Sequence, residues 1–113
     1  MKGVHEIKVR IGAATLVLSL ALPGSLPAAA EDTAAVYKAK CAMCHGADGK
    51  AETPVGKKMG IHDFASAEVQ GMKDAELTAA ISDGKNKMPG YKKSLAADQI
   101  KDLVAYVRSF AKK

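Results

Sequence analysis

The sequence holds no tryptophan, and its aromatic residues amount to three tyrosines and two phenylalanines in 113 residues. A chain of this length is one domain at most, and few large rings are on hand to fill its centre. Cysteine is nearly absent. The two present, Cys41 and Cys44, cannot form the set of bridges that staples many small secreted folds. No unbroken apolar run reaches the ~20 residues that a bilayer-spanning helix needs. No segment alternates apolar and polar residues as a half-buried strand does, and neither an internal repeat nor a low-complexity tract occurs. The net charge of +5 is too small an excess to argue for nucleic acid.

What is present begins with a leader. Lys2, Lys8 and Arg10 give a basic head, residues 11–22 a short apolar run, and "PGSLPAAA" breaks that run and ends with Ala28 and Ala30 spaced as in an A-x-A cleavage site. The pattern predicts a secretory signal peptide over residues 1–30 and a single domain over residues 31–113. The other reading, an uncleaved membrane tether, has against it a short run and no stop-transfer segment. Below roughly 70–80 residues a core seldom stabilises a fold without a staple. With so few aromatics, something besides side chains is expected to occupy the middle of this domain.

The domain reads as helices joined by long loops. Residues 31–45 predict one helix, capped at Asp32 or Thr33 and running straight into the cysteines. Residues 46–60, with Pro54, Gly56 and Gly60, predict a turn-rich loop. Ser66 opens a short helix that weakens at Gly71. A clearer helix follows, with Leu77, Ala80 and Ile81 at helical spacing and Gly84 as its stop. After a Pro/Gly loop, residues 97–111 predict an amphipathic helix with Ile100, Leu103, Val104, Val107 and Ala111 on one stripe.

The chemistry lies in "CAMCH", residues 41–45. A thioredoxin-like dithiol needs a βαβ setting, and no strands are predicted. A zinc site needs four ligands, and beyond Cys41, Cys44 and His45 the remaining good donor is His62. A disulfide between cysteines this close closes a very small loop and returns little entropy. The fourth chemistry is covalent attachment of a c-type haem. Two thiols at this spacing can add to the two vinyl groups of one porphyrin, and the adjacent histidine then lies beneath the iron. A secreted chain suits attachment outside the cytoplasm.

With that motif in place, the order of a helix ending in "CAMCHG", a Gly-rich loop, a middle helix, a Met-Pro loop and an amphipathic last helix resembles the class I monohaem c-type cytochromes of bacteria across nearly all of residues 33–111. The resemblance implies an all-α fold of three to four helices with long loops wrapped around one haem c per chain. It further implies a soluble, monomeric periplasmic electron carrier that exchanges electrons with redox partner proteins and has no stable membrane insertion. Cys41 and Cys44 would form the thioethers and His45 the proximal iron ligand.

The second iron ligand should come from a distant loop. Met43 lies too close, and Met72 sits beside a helix, where core filling is its ordinary use. Met59 has the reach, and an open or His62-ligated iron is a further alternative. Met88, followed by Pro89, matches the family's Met-Pro ligand motif, and the proline restricts Met88 toward extended backbone. By resemblance also, the Pro54 carbonyl would accept the other N–H of His45, and Tyr37 would cross Leu103 and Tyr106. Lys73 and Ala96 stand where relatives often carry a Ser or Thr cap, a loss of about 1 kcal/mol at each helix start. Lys57, Lys58, Lys85, Lys87, Lys92 and Lys93 could ring an exposed haem edge and steer acidic partners, or form an ordinary solvated face. A displaceable sixth ligand would instead make the protein a haem enzyme or a gas or peroxide sensor.

Overall fold

The computed structural model describes Gly12 and residues 28–112. The leader read over residues 1–30 lies outside the described residues, apart from Gly12 and the backbone of 28–30. Among the described residues six helices follow in order: α1 (Ala28–Lys40), α2 (Ala42–His45), α3 (Pro54–Met59), α4 (Ala67–Gln70), α5 (Asp74–Asp83) and α6 (Ala97–Ser109), then a 3-10 turn at Phe110–Lys112. Among the described residues there is no strand, and an isolated bridge joins Lys85 to Met88. The chain is thus all-α with long loops, as its sequence predicts; α2 and α4 are single turns, which accounts for the larger number of helices.

Two local features depart from expectation. The helix predicted over residues 31–45 breaks at Cys41, whose φ of −116° lies far from the helical value near −63°, and α2 follows as a separate turn. Residues 54–59 are helical rather than a loop. The Thr53 side chain accepts from the Gly56 N–H at 2.9 Å, Pro54 opens the helix where its missing N–H costs nothing, and Gly60 closes it at φ 63°.

The remaining starts and stops follow the sequence. Ser66 caps α4 by accepting from Val69 N–H at 3.3 Å. Lys73 and Ala96 offer no side-chain acceptor, yet half of each capping box survives: Glu76 Oε2 accepts from Lys73 N–H at 2.7 Å and Gln99 Oε1 from Ala96 N–H at 2.9 Å.

The core lies where α6 crosses α1 and α5. Ile100, Leu103, Val104 and Val107 are buried along one face of α6, as their spacing predicts. Ala111 is exposed. The tighter 3-10 winding after Ser109 turns Phe110 inward in its place. Tyr37 of α1 meets Tyr106 at a ring-centroid distance of 4.8 Å and Phe110 at 5.7 Å. Three of the five aromatics are therefore spent on one helix crossing.

Arg108 closes the fold from the end of α6. Its guanidinium donates to the carbonyls of Gln70 at 2.9 Å and Met72 at 2.5 Å, and to Asp74 Oδ1 at 2.8 and 3.0 Å. The Gln70 amide donates in turn to the carbonyls of Phe64 and Val107. The corner between α4 and α5 is thereby pinned to the last helix.

Candidate functional site

A cavity of about 590 Å³ opens between the cysteine motif and the Met-Pro loop, within the range of cofactor pockets. Cys41, Cys44 and His45 line one wall, and Met88 lines the cavity with Leu77 and Tyr91. Residues more than forty positions apart in the sequence thus face one space.

The motif wall is held by its own carbonyls. The end of a helix leaves carbonyl oxygens without partners, and here three in succession are satisfied from outside. The Thr53 hydroxyl donates to Cys44 O at 2.8 Å, Ala51 N–H to His45 O at 2.8 Å, and the Tyr37 hydroxyl to Gly46 O at 2.6 Å. Helix α1, the following loop and the start of α3 therefore all grip the same turn.

Within that turn, burial pushes the pKa of His45 down, which keeps the imidazole neutral with a lone pair to give. The Phe64 ring stacks on it at 4.5 Å between centroids. Its Nδ1 is buried with no hydrogen-bond partner, so the bond expected from the Pro54 carbonyl is not formed. Pro54 is the first residue of α3, and a carbonyl at that position points along the helix axis. Thr53 makes the contact between this segment and the motif instead.

The Met-Pro loop is fixed by backbone contacts. Lys85 and Met88 exchange N–H donors and carbonyl acceptors at 3.1 and 2.9 Å, and Tyr91 N–H donates to Ile81 O at 2.9 Å. At Gly84, with φ 84°, a Cβ would stand 2.6 Å from Met88 O. The loop can lie this close to the end of α5 because that residue is glycine. Met88 is half-buried at the edge of the core.

The alternative ligands are less confined. Met59 also lines the cavity but is 46% exposed, and Met43 is 75% exposed. Met72 lines the cavity too, and packs against the core. His62 lines the cavity rim, with its Nδ1 3.3 Å from Glu68 Oε2 and both side chains largely in solvent. Among the described residues no three His, Cys, Asp or Glu side chains cluster as a metal site requires, which leaves the zinc reading without a ligand set. Cys41 and Cys44 are free thiols.

Of the lysines picked out in the sequence, Lys58, Lys85 and Lys87 reach the cavity, joined by Lys40. Lys92 is drawn to Asp83 at 3.2 Å, and Lys57 and Lys93 are exposed away from the lining. Phe64, Tyr91 and Arg108 were not singled out as site residues. The Met+3 position of Tyr91 and the slot between Gly60 and Ser66 for Phe64 were the available signals.

Residues 28–107 match the family described as cytochrome c oxidase, cbb3-type, subunit III. Cytochrome c6 of Nostoc sp. (strain PCC 7120) is 36% identical over 108 residues, covering 95% of this chain and 92% of that one. The CcoP subunit of the cbb3-type cytochrome c oxidase of Azospirillum brasilense is 33% identical over 98 residues, 85% of this chain but 33% of the relative. Among solved structures, the KustC0563 c-type cytochrome superposes with a TM-score of 0.64 at 34% identity, covering 69% of this chain and 95% of that chain. Free cysteines, a neutral buried imidazole and a cavity of cofactor size fit a porphyrin held at CAMCH, and haem c is the covalently bound cofactor. The chain belongs to the cytochrome c family, as a small class I c-type cytochrome with the all-α fold of that class.

Proposed function

We propose that the protein is a soluble periplasmic carrier of single electrons, in which Cys41 and Cys44 would form the thioether attachments and His45 and Met88 would ligate the iron. The observation that carries this reading is the convergence of Cys41, Cys44, His45 and Met88 on one cavity. When bound there, the haem supplies one-electron exchange between Fe(III) and Fe(II).

The chain's own residues set the terms of that exchange. His45, kept neutral by burial, offers a lone pair from a turn anchored at three carbonyls. Met88 offers a soft thioether that favours the reduced iron and raises the reduction potential. The paired backbone bonds between Lys85 and Met88 and the bond from Tyr91 N–H to Ile81 O fix the loop that carries that thioether, so neither ligand need leave during transfer. Two protein ligands leave no open position for a substrate, which argues against an enzyme or gas sensor. The leader, residues 1–30, supports export to the periplasm, with cleavage after Ala30. The cytochrome c6 relatives, matched over 92% and 91% of their length, favour a separate carrier working between redox partner proteins.

The test is a potentiometric titration of the protein purified from a periplasm, followed by addition of CO to the reduced form. A reversible one-electron wave and an unchanged spectrum under CO are expected. Ready CO binding would favour a sensor or enzyme.

A further inference from the structure

The break at Cys41 leaves a gap in the hydrogen bonds of α1, and the way it is filled connects the two walls of the cavity. In an unbroken helix the Cys44 N–H would donate to the carbonyl of Lys40. Here it donates to Cys41 O at 3.2 Å. The Lys40 carbonyl instead receives the hydroxyl of Tyr91 at 3.1 Å, from 51 residues away.

Tyr91 is placed to act as a strut. Its backbone is fixed to α5 through the bond to Ile81 O, and its carbonyl accepts from Ser94 and Leu95. Its ring lies half-buried along the cavity, packed against the core. Lys40 directly precedes Cys41, and Tyr91 lies three residues past Met88. The hydroxyl therefore spans from the attachment segment to the methionine loop.

We infer that Tyr91 is a positioning residue that holds the Met88 loop closed over the haem by clasping the freed carbonyl of Lys40. The inference rests on the ligation reading above. Without the clasp the loop keeps its turn and its bonds to α5, but its distance from the motif wall is no longer fixed. Met88 then competes less well for the iron against an added ligand.

The experiment uses ferric holoprotein and imidazole as the competing ligand, with binding read from the visible spectrum in four proteins: parent, Tyr91→Phe, Met88→Ala and the double variant. Phenylalanine keeps the ring in the cavity and removes the hydroxyl alone. From the net worth of one hydrogen bond, Tyr91→Phe is expected to bind imidazole about five-fold more tightly than the parent. In the Met88→Ala background the same change should have no effect, since no ligand is left to release. Equal imidazole affinity in parent and Tyr91→Phe overturns the strut, including where Tyr91→Phe melts at a lower temperature, because the hydroxyl then serves stability alone. An equal gain in both backgrounds also overturns it, since the hydroxyl would then act on the cavity directly. If Met88→Ala binds imidazole no better than the parent, the ligation reading itself fails and the strut falls with it.

Discussion

The Tyr37 hydroxyl donates to the carbonyl of Gly46, nine positions on, at 2.6 Å, and the chain between them contains both cysteines and the histidine of the motif. One side chain of α1 therefore closes the attachment segment into a loop while its ring forms the crossing with α6. Tyr37→Phe keeps the ring and removes one of the two donors to the Gly46 carbonyl, which still accepts from Gly49 N–H at 3.1 Å, at a cost of roughly 0.5–1.5 kcal/mol. A domain of this size melts about 4–8 °C lower for each kcal/mol, which a thermal scan of parent and variant reads directly. Burial holds the Tyr37 hydroxyl above the ordinary tyrosine range. The folded chain therefore favours the protonated form, and this contribution is complete below about pH 10 and is lost as pH rises beyond it. The stability gap between parent and Tyr37→Phe should narrow in that alkaline range; a gap that widens there would contradict the assignment.

Gly84 controls how closely the methionine loop lies on α5. With φ 84° and a Cβ position 2.6 Å from Met88 O, Gly84→Ala is strained in its own backbone and pushes on the loop. The backbone strain alone is worth roughly 1–3 kcal/mol. Denaturant unfolding is expected to show that loss, and loop displacement should appear as a weaker Met–iron absorption at full haem content. Unchanged stability and absorption would mean that the loop moves freely of α5.

Arg108 and Asp74 separate a charge pair from a backbone clamp. Asp74 is 75% exposed on its side chain, so Asp74→Ala is expected to cost no more than about 1 kcal/mol. Arg108→Ala strands the carbonyls of Gln70 and Met72 as well, and hydrogen bonds from a charged donor are worth about 1.5–3 kcal/mol. Urea midpoints of the two variants give the comparison; equal losses would place the value in the ion pair.

Much of this was legible in the sequence. CAMCH, the Ser66 and Gly84 boundaries and the α6 stripe depend on local spacing, which a sequence displays directly. Helix α3 is hidden because its glycines and proline double as turn signals, although Thr53, Pro54 and Gly60 sit where a cap, a first helical residue and a left-handed stop belong. The break at Cys41, the Thr53 hydroxyl on Cys44 and the Arg108 clamp depend on which backbone groups a fold leaves unpaired, and no sequence pattern encodes that.

The lysines divide by position. Lys87 lines the cavity mouth, whereas Lys92 is spent on Asp83. Lys87→Glu should slow electron transfer to an acidic partner at low salt more than Lys92→Glu does. The difference should fade as ionic strength rises and the Debye length falls below about 8 Å. Equal rates for Lys87→Glu and the parent at low salt would remove the steering role.

The proposed function stands on Met88 and His45 converging on one iron, and ferric haem reports a bound methionine sulfur by a charge-transfer band in the near infrared. The decisive measurement is that band in the parent, in Met88→Ala and in Met59→Ala, a second methionine of the cavity lining, carried on a loop-side helix end rather than packed into the core. The band is expected in the parent and in Met59→Ala and should be lost in Met88→Ala. A band that survives in Met88→Ala, or one absent from the parent, would contradict the account.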